Sequence, residues 1–209
     1  MAYTFTRKTD NVDKIMAVDV NELQEAIEDI SGDVDTMSNI NATFLLSAAG
    51  ANPAATNGCA DPEKKTSSTK LITYKVCAFD SATKEICWWN HPLPSDYSYN
   101  STVTFRVFWE HPSTTTNFKV AWDLAAVSVG NDEAIDYVDV GTAVQINDTG
   151  GTTNDIYCTE WSTALTMARI PAAGKMVYWR LRRVADDGTN DTLAVDAWLH
   201  YVEIRYTRA

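Results

Sequence analysis

The side chains best able to do chemistry in this sequence are three histidines, four cysteines, scattered carboxylates and a large aromatic set. His91, His111 and His200 lie far apart, and the first two precede a proline, which places them at strand-to-turn boundaries. That is no metal-ligand spacing, so neither a metal nor any other cofactor is expected. Cys59, Cys77, Cys87 and Cys158 form no CxxC and no cysteine–histidine zinc pattern. Cys77 and Cys87 could face each other across a hairpin, although synthesis in a cytosol favours reduced, mostly buried thiols. No serine sits in a GxSxG elbow, and nucleophilic catalysis has no foothold.

Glycosidic cleavage needs two carboxyls about 5–10 Å apart across a sugar cleft. Glu85, Glu110, Glu160 and Glu203 lie on or near expected strands, and Glu110 with Glu160, beside Trp109 and Trp161, is the best pair among them. Nothing further singles it out, so the chain reads as non-enzymatic. The acidic runs Asp132-Glu133-Asp136-Asp139 and Asp186-Asp187-Asn190-Asp191 offer the oxygens that Ca²⁺ prefers but lack EF-hand spacing, and they read as solvated turns. Arg180, Arg182 and Arg183 are the only basic cluster; the first two share an outward face if Val177, Trp179 and Leu181 point inward. They could pair with acids of an adjacent subunit or solubilise a sheet. Trp88 and Trp89 are consecutive, so an extended backbone turns one of them outward. Both are candidate contacts for a ligand, by stacking on a sugar, or for another subunit.

The elements that must position these groups fall into two parts. Residues 1–42 hold nine acids and three bases, a net of −6, and the remaining residues hold nineteen and fourteen, a net of −5. This acidity opposes binding to nucleic acid, whose phosphates call for clustered Lys and Arg. No apolar run is long enough for a membrane span, and the opening MAYTFTRKTD has no signal-peptide core. Asp19 with Glu22 makes a capping box that opens a helix near Val20. Val20, Leu23, Ile27, Ile30, Val34 and Met37 then follow at heptad spacing, with acids on the other face. Residues 1–42 are therefore expected to be an arm and an oligomerisation or anchoring helix, in a homotrimer or a dimer, with core packing against the rest of the chain as the plainer alternative. From Thr43 the period changes to two. Strands are expected at Thr43–Ala48, Leu71–Phe79, Glu85–Trp89, Thr102–Glu110, Asn117–Leu124, Tyr157–Thr166, Met176–Val184 and Leu193–Tyr206, with a surface loop at Gly50–Thr69 and an ambiguous Ala134–Val140. About eight one-face-buried strands with no helical pattern between them imply a mainly β fold, an antiparallel jelly-roll-like sandwich spanning 43–209.

The stretch from Asp13 to Ile27, with Ile15, Ala17, Asp19-Val20-Asn21, Leu23-Gln24 and Ala26-Ile27, resembles the N-terminal region of tailed-phage fibre and appendage proteins, which leads into a trimeric helical stem. The segment Trp88-Trp89-Asn90-His91-Pro92-Leu93-Pro94-Ser95-Asp96-Tyr97, with the strand from Trp198 to Tyr206, is similar to jelly-roll domains on phage proteins. The resemblance implies a virion protein, made in the host cytoplasm, that docks through its N-terminal part to major capsid or tail proteins and displays its C-terminal part. A stem of about twenty residues spans only ~30 Å. That suits a capsid decoration (cement) protein, a head fibre or a short tail appendage better than a long fibre. The second functional expectation is a module that recognises a host surface glycan through exposed aromatics.

Overall fold

The computed structural model describes residues 22–29, 40–114, 117–136 and 139–209. The chain divides into two units, Met1–Ile40 and Asn41–Ala209. In the first, residues 22–29 form helix α1, in which Gln24 Nε2 donates to Glu28 Oε1 at 3.5 Å. Leu23 and Ile27 lie on this helix and are 56% and 58% exposed. The N-terminal arm and the seam positions Val20, Ile30, Val34 and Met37 lie outside the described residues. No described helix is long and apolar enough to cross a membrane.

The second unit is an antiparallel, jelly-roll-like β-sandwich. Its strands are β1 (Asn41–Ser47), β2 (Asn52–Pro53), β3 (Glu63–Thr66), β4 (Thr73–Phe79), β5 (Glu85–Pro92), β6 (Val103–Glu110), β7 (Phe118–Val129), β8 (Val144–Gly150), β9 (Tyr157–Cys158), β10 (Met176–Arg183) and β11 (Ala197–Thr207). Sheet A has the order β3-β4-β11-β6-β9, with β1 also paired to β11, and sheet B the order β2-β5-β10-β7-β8. From β4 to β7 and again from β8 to β11 consecutive strands alternate between the sheets, while β7 and β8 are sequence and sheet neighbours.

Alternating residues build the core. Val103, Phe105, Val107 and Trp109 of β6 are buried, as are Val177, Trp179 and Leu181 of β10. Trp109, Trp122 and Trp179 fill the middle, and Trp122 meets Phe79 edge-on with ring centroids 5.1 Å apart. Each such aromatic removes 150–250 Å² from water, roughly 4–6 kcal/mol before chain entropy is subtracted.

The expected strands need four corrections. The segment Gly50–Thr69 is not a plain surface loop: it holds β2 and β3 and buries Ala51 and Cys59. Strand β7 runs on to Val129 because its outer positions Ala121, Asp123, Ala125 and Val127 are small, and neighbours on β10 cover them, so every residue but Lys119 is buried. Strand β8 follows the ambiguous region rather than lying in it. The expected strand Tyr157–Thr166 is regular only at Tyr157–Cys158, since further on hydroxyls replace carbonyls in the ladder. Val107 N donates to Thr159 Oγ1 at 3.0 Å and Phe105 N to Ser162 Oγ at 3.0 Å, while the amides of Thr159 and Ser162 return to the carbonyls of Val107 and Phe105.

Cys77 and Cys87 do not oppose each other across a hairpin. They sit on β4 and β5, in different sheets, where Cys77 is paired with Leu199 and Cys87 with Leu181. The Cys77 thiol donates to Ala48 O at 3.4 Å. Cys77 lowers the pKa of Cys59, but Cys87 and burial outweigh it and leave it raised; Cys59 and burial raise that of Cys77, and burial raises that of Cys87, so all three are held as thiols.

Candidate functional site

Strand parity decides between the two tryptophans. Cys87 and Trp89 point into the core, and the indole Nε1 of Trp89 donates to Ser47 O at 2.8 Å. Trp89 is therefore a core residue and not a candidate ligand contact. Trp88 faces outward from sheet B, half-buried, and its indole N–H has no hydrogen-bond partner among the described residues. Register places Asn52, Trp88, Arg180 and Ala125 in one row across β2, β5, β10 and β7. The flanking rows are Asn90–Tyr178–Val127 and Ile86–Arg182–Asp123–Gln145. Residues directly opposite share a sheet face, so the outer face of sheet B gathers a tryptophan, a tyrosine, two guanidiniums and three amides.

The arginines of the basic cluster have separate fates. Arg182 grips Asp123 through Nε (2.8 Å to Oδ1) and Nη2 (2.6 Å to Oδ2), which raises its pKa. Arg183 points inward and is fully buried against Asp191, so the expectation of intersubunit pairing or solubilisation fails for it and, with Asp123 in the same chain, for Arg182. Arg180 differs from both. Its Nε is buried without a hydrogen-bond partner among the described residues, and no carboxylate bridges to its guanidinium. Burial lowers its pKa, Arg182 pushes the same way, and Asp123 and Asp139 only partly oppose them.

At the other end of the same face a polar hollow of about 200 Å³ is lined by Lys119, Asn147, Asp148, Thr149 and Asn190. Beside it Asp187 accepts from Asn190 Nδ2 at 2.8 Å and Gln145 Nε2 at 3.0 Å, and these hydrogen bonds pull its carboxyl down to about 2. A larger hollow of about 460 Å³, bounded by Asn100, Thr102, Leu165, Met167 and Ile170, lies away from this face. Its one cation, Arg169, is engaged with Glu133 and Ala134 O.

The other sequence candidates are absorbed into packing. Glu110 is 2% exposed and lies 3.4 Å from both the Tyr74 hydroxyl and His200 Nε2, so it does not line a cleft with Glu160, which is exposed. Glu203 is held by Arg106 at 2.7 Å. His91 stacks on Phe44 with centroids 4.7 Å apart, and buried His111 lies against Phe118 and Tyr157. On the outer face of sheet A, Arg106 and Arg205 both lie over Trp161. Both acidic runs are used internally: Glu133 receives Gly130 N and Asp191 receives Arg183, and the described residues contain no cluster suited to a metal ion.

No protein-family model matches the chain, and no curated protein matches it. Among solved structures it is similar to a family 35 carbohydrate-binding module from Cellvibrio japonicus at 10% identity and TM-score 0.42, covering 80% of this chain and 99% of that one. A family 35 carbohydrate-binding module from Clostridium thermocellum matches at 11% identity and TM-score 0.43, over 78% and 97%. The enzymatically active domain of tailspike protein 4 from bacteriophage CBA120 matches at 8% and 0.32, over 78% and 19%. Likenesses at this level assign neither ligand nor activity.

Proposed function

We propose that the Asn41–Ala209 unit is a non-catalytic saccharide-binding head that recognises a host-surface glycan with the outer face of sheet B. The observation that carries this reading is Trp88: an aromatic plane facing solvent, its indole N–H unpartnered, set in a row of planar hydrogen-bonding side chains. A sugar ring presents axial C–H groups to such a plane and hydroxyls to its rim, and binding sites commonly pair an apolar platform with a few fixed polar groups. Rigid strands hold these groups, so little ordering entropy opposes binding.

The test is retention on an array of bacterial surface polysaccharides. Wild type is expected to bind at least one polymer, W88A to lose that binding by about tenfold or more, and W161A, at the outer face of the other sheet, to keep it. Equal binding by wild type and W88A sinks the reading.

A second reading accompanies the first and rests on a different observation. Leu23 and Ile27 present two apolar side chains to solvent on an eight-residue helical segment whose other residues are mostly acidic. Isolated helices of this length are marginal in water, and an uncovered apolar stripe calls for a partner helix. In this reading residues 1–42 associate as a homotrimer and dock to capsid or tail proteins, so the chain is a virion structural component, a decoration protein or short appendage, with the β-sandwich displayed.

A further inference from the structure

Arg180 is a half-buried cation on the outer face of sheet B that the described residues leave without an anion, whereas Lys119 on the same face is exposed to solvent. Arg182 is satisfied by Asp123 in the same face, and Lys119 reaches Thr189 O at 3.5 Å. Taking a guanidinium partly out of water while leaving its Nε unpaired is unfavourable unless something else supplies the acceptor. The groups that act on it are few. Arg182 repels it, and Asp123 and Asp139 attract it, but Asp123 is committed to Arg182 and Asp139 Oδ1 accepts from Gly141 N at 2.9 Å. Arg180 sits directly across the sheet from Trp88, with Tyr178 beside it on β10 and only Ala125 on its other flank. Ala125 is itself fully buried, so the accessible part of this row runs from Asn52 through Trp88 to Arg180.

We propose that Arg180 receives the carboxylate of an acidic saccharide whose ring lies on Trp88, so that the ligand class is a uronate-containing polysaccharide rather than a neutral one. This deepens the saccharide-binding reading and rests on it. A guanidinium fork matches a planar carboxylate in two parallel hydrogen bonds, which fixes the ring's orientation as well as supplying charge. The protein carries a net charge of −11, so diffuse electrostatics repel polyanions and any retention of one must come from a local site. A sulfate ester could offer the same charge with different geometry.

The experiment is affinity electrophoresis of the full chain through gels containing polygalacturonate, alginate, carboxyl-reduced polygalacturonate or dextran sulfate. Wild type is expected to be retarded by at least one uronate polymer, and carboxyl reduction to weaken this by roughly ten- to a hundred-fold, the range for a hydrogen bond to a charged group. R180Q should abolish the preference, and R180K, which keeps the charge without the fork, should restore it only in part. Carboxyl reduction alters the ligand alone, so the test does not depend on a variant that folds. Binding that needs Trp88 but ignores both carboxyl reduction and R180Q overturns this inference and leaves the saccharide-binding head standing. Retardation by dextran sulfate alone, lost in R180Q, overturns the carboxylate assignment. Retardation by no polymer, here and on the array, overturns both.

Discussion

Replacing Asp191 by asparagine is the most telling stability perturbation this fold offers. Arg183 is fully buried and uses all five of its N–H donors: Nε to Asp191 Oδ2 at 2.9 Å, Nη2 to Asp191 Oδ1 at 2.8 Å and Leu193 O at 2.6 Å, and Nη1 to Phe79 O at 3.0 Å and Val195 O at 2.8 Å. Asp191 Oδ2 also accepts Ala121 N at 3.2 Å. One ion pair thus ties the end of β4, β7 and β10 to the segment before β11. D191N keeps the shape but leaves a buried positive charge without its counter-ion, and breaking such a pair costs about 3–5 kcal/mol. Against a total stability of about 5–15 kcal/mol for a folded domain, that is a large share. Urea unfolding followed by tryptophan fluorescence should show the midpoint falling by at least about 1 M for slopes of about 1–3 kcal/mol/M. The thermal midpoint should drop by about 6–20 °C for a domain of this size. The apolar double variant R183M/D191L should recover much of the loss, because an apolar pair removes both desolvation penalties. A D191N protein within about 1 kcal/mol of its parent would refute the claim that this pair is structurally required.

Two further outcomes are expected. Asp187 titrates at about 2 in the folded chain against an ordinary 3.8, so its contribution to the turn is complete above pH 3.8 and is lost as pH falls through about 2; a carboxyl ¹³C titration should give that midpoint, N190A and Q145A should raise it, and an ordinary midpoint in wild type would contradict the hydrogen bonding described. The double variant L23E/I27E should lower the absolute mass from oligomer to monomer by light scattering without moving the thermal midpoint of the β-sandwich, and a wild-type monomer would remove the association reading.

The strands most legible in the sequence were those buried on one face only. Strand β6 alternates Val103, Phe105, Val107 and Trp109 with polar or half-buried residues, and its boundaries differ from the expected ones by one residue. The far end of β7 was hidden because Leu124-Ala125-Ala126-Val127 is buried on both faces and has no period-two signal. Strand β8 was hidden by Val144-Gln145-Ile146-Asn147-Asp148, whose inner positions end in an aspartate that accepts the Trp109 indole N–H at 2.9 Å. Parity fixed that one of Trp88 and Trp89 faces outward, and only the burial of Cys87 and the Trp89–Ser47 bond decide which. The outward direction of Arg180 and Arg182 could be read from Val177, Trp179 and Leu181. What could not be read was their pairing, because Asp123 and Asp191 come from segments 59 and 8 residues away whose side-chain geometry only the fold sets.

Strand β11 runs through the middle of sheet A, with β6 along one edge and β4 and β1 sharing the other. Ser47 pairs with Tyr201, 154 residues later in the chain. At about 5–20 residues per second of synthesis, β1 waits about 8–30 s for the strand that completes its sheet, far longer than a hairpin takes to form. During that interval β1, β4 and β6 present open edges that can pair with the same segments of other nascent chains. Overexpression at high temperature should therefore convert newly made chains into aggregates by edge pairing, and slowing initiation, which spaces the chains on each message, should rescue soluble yield more than any change to the finished fold.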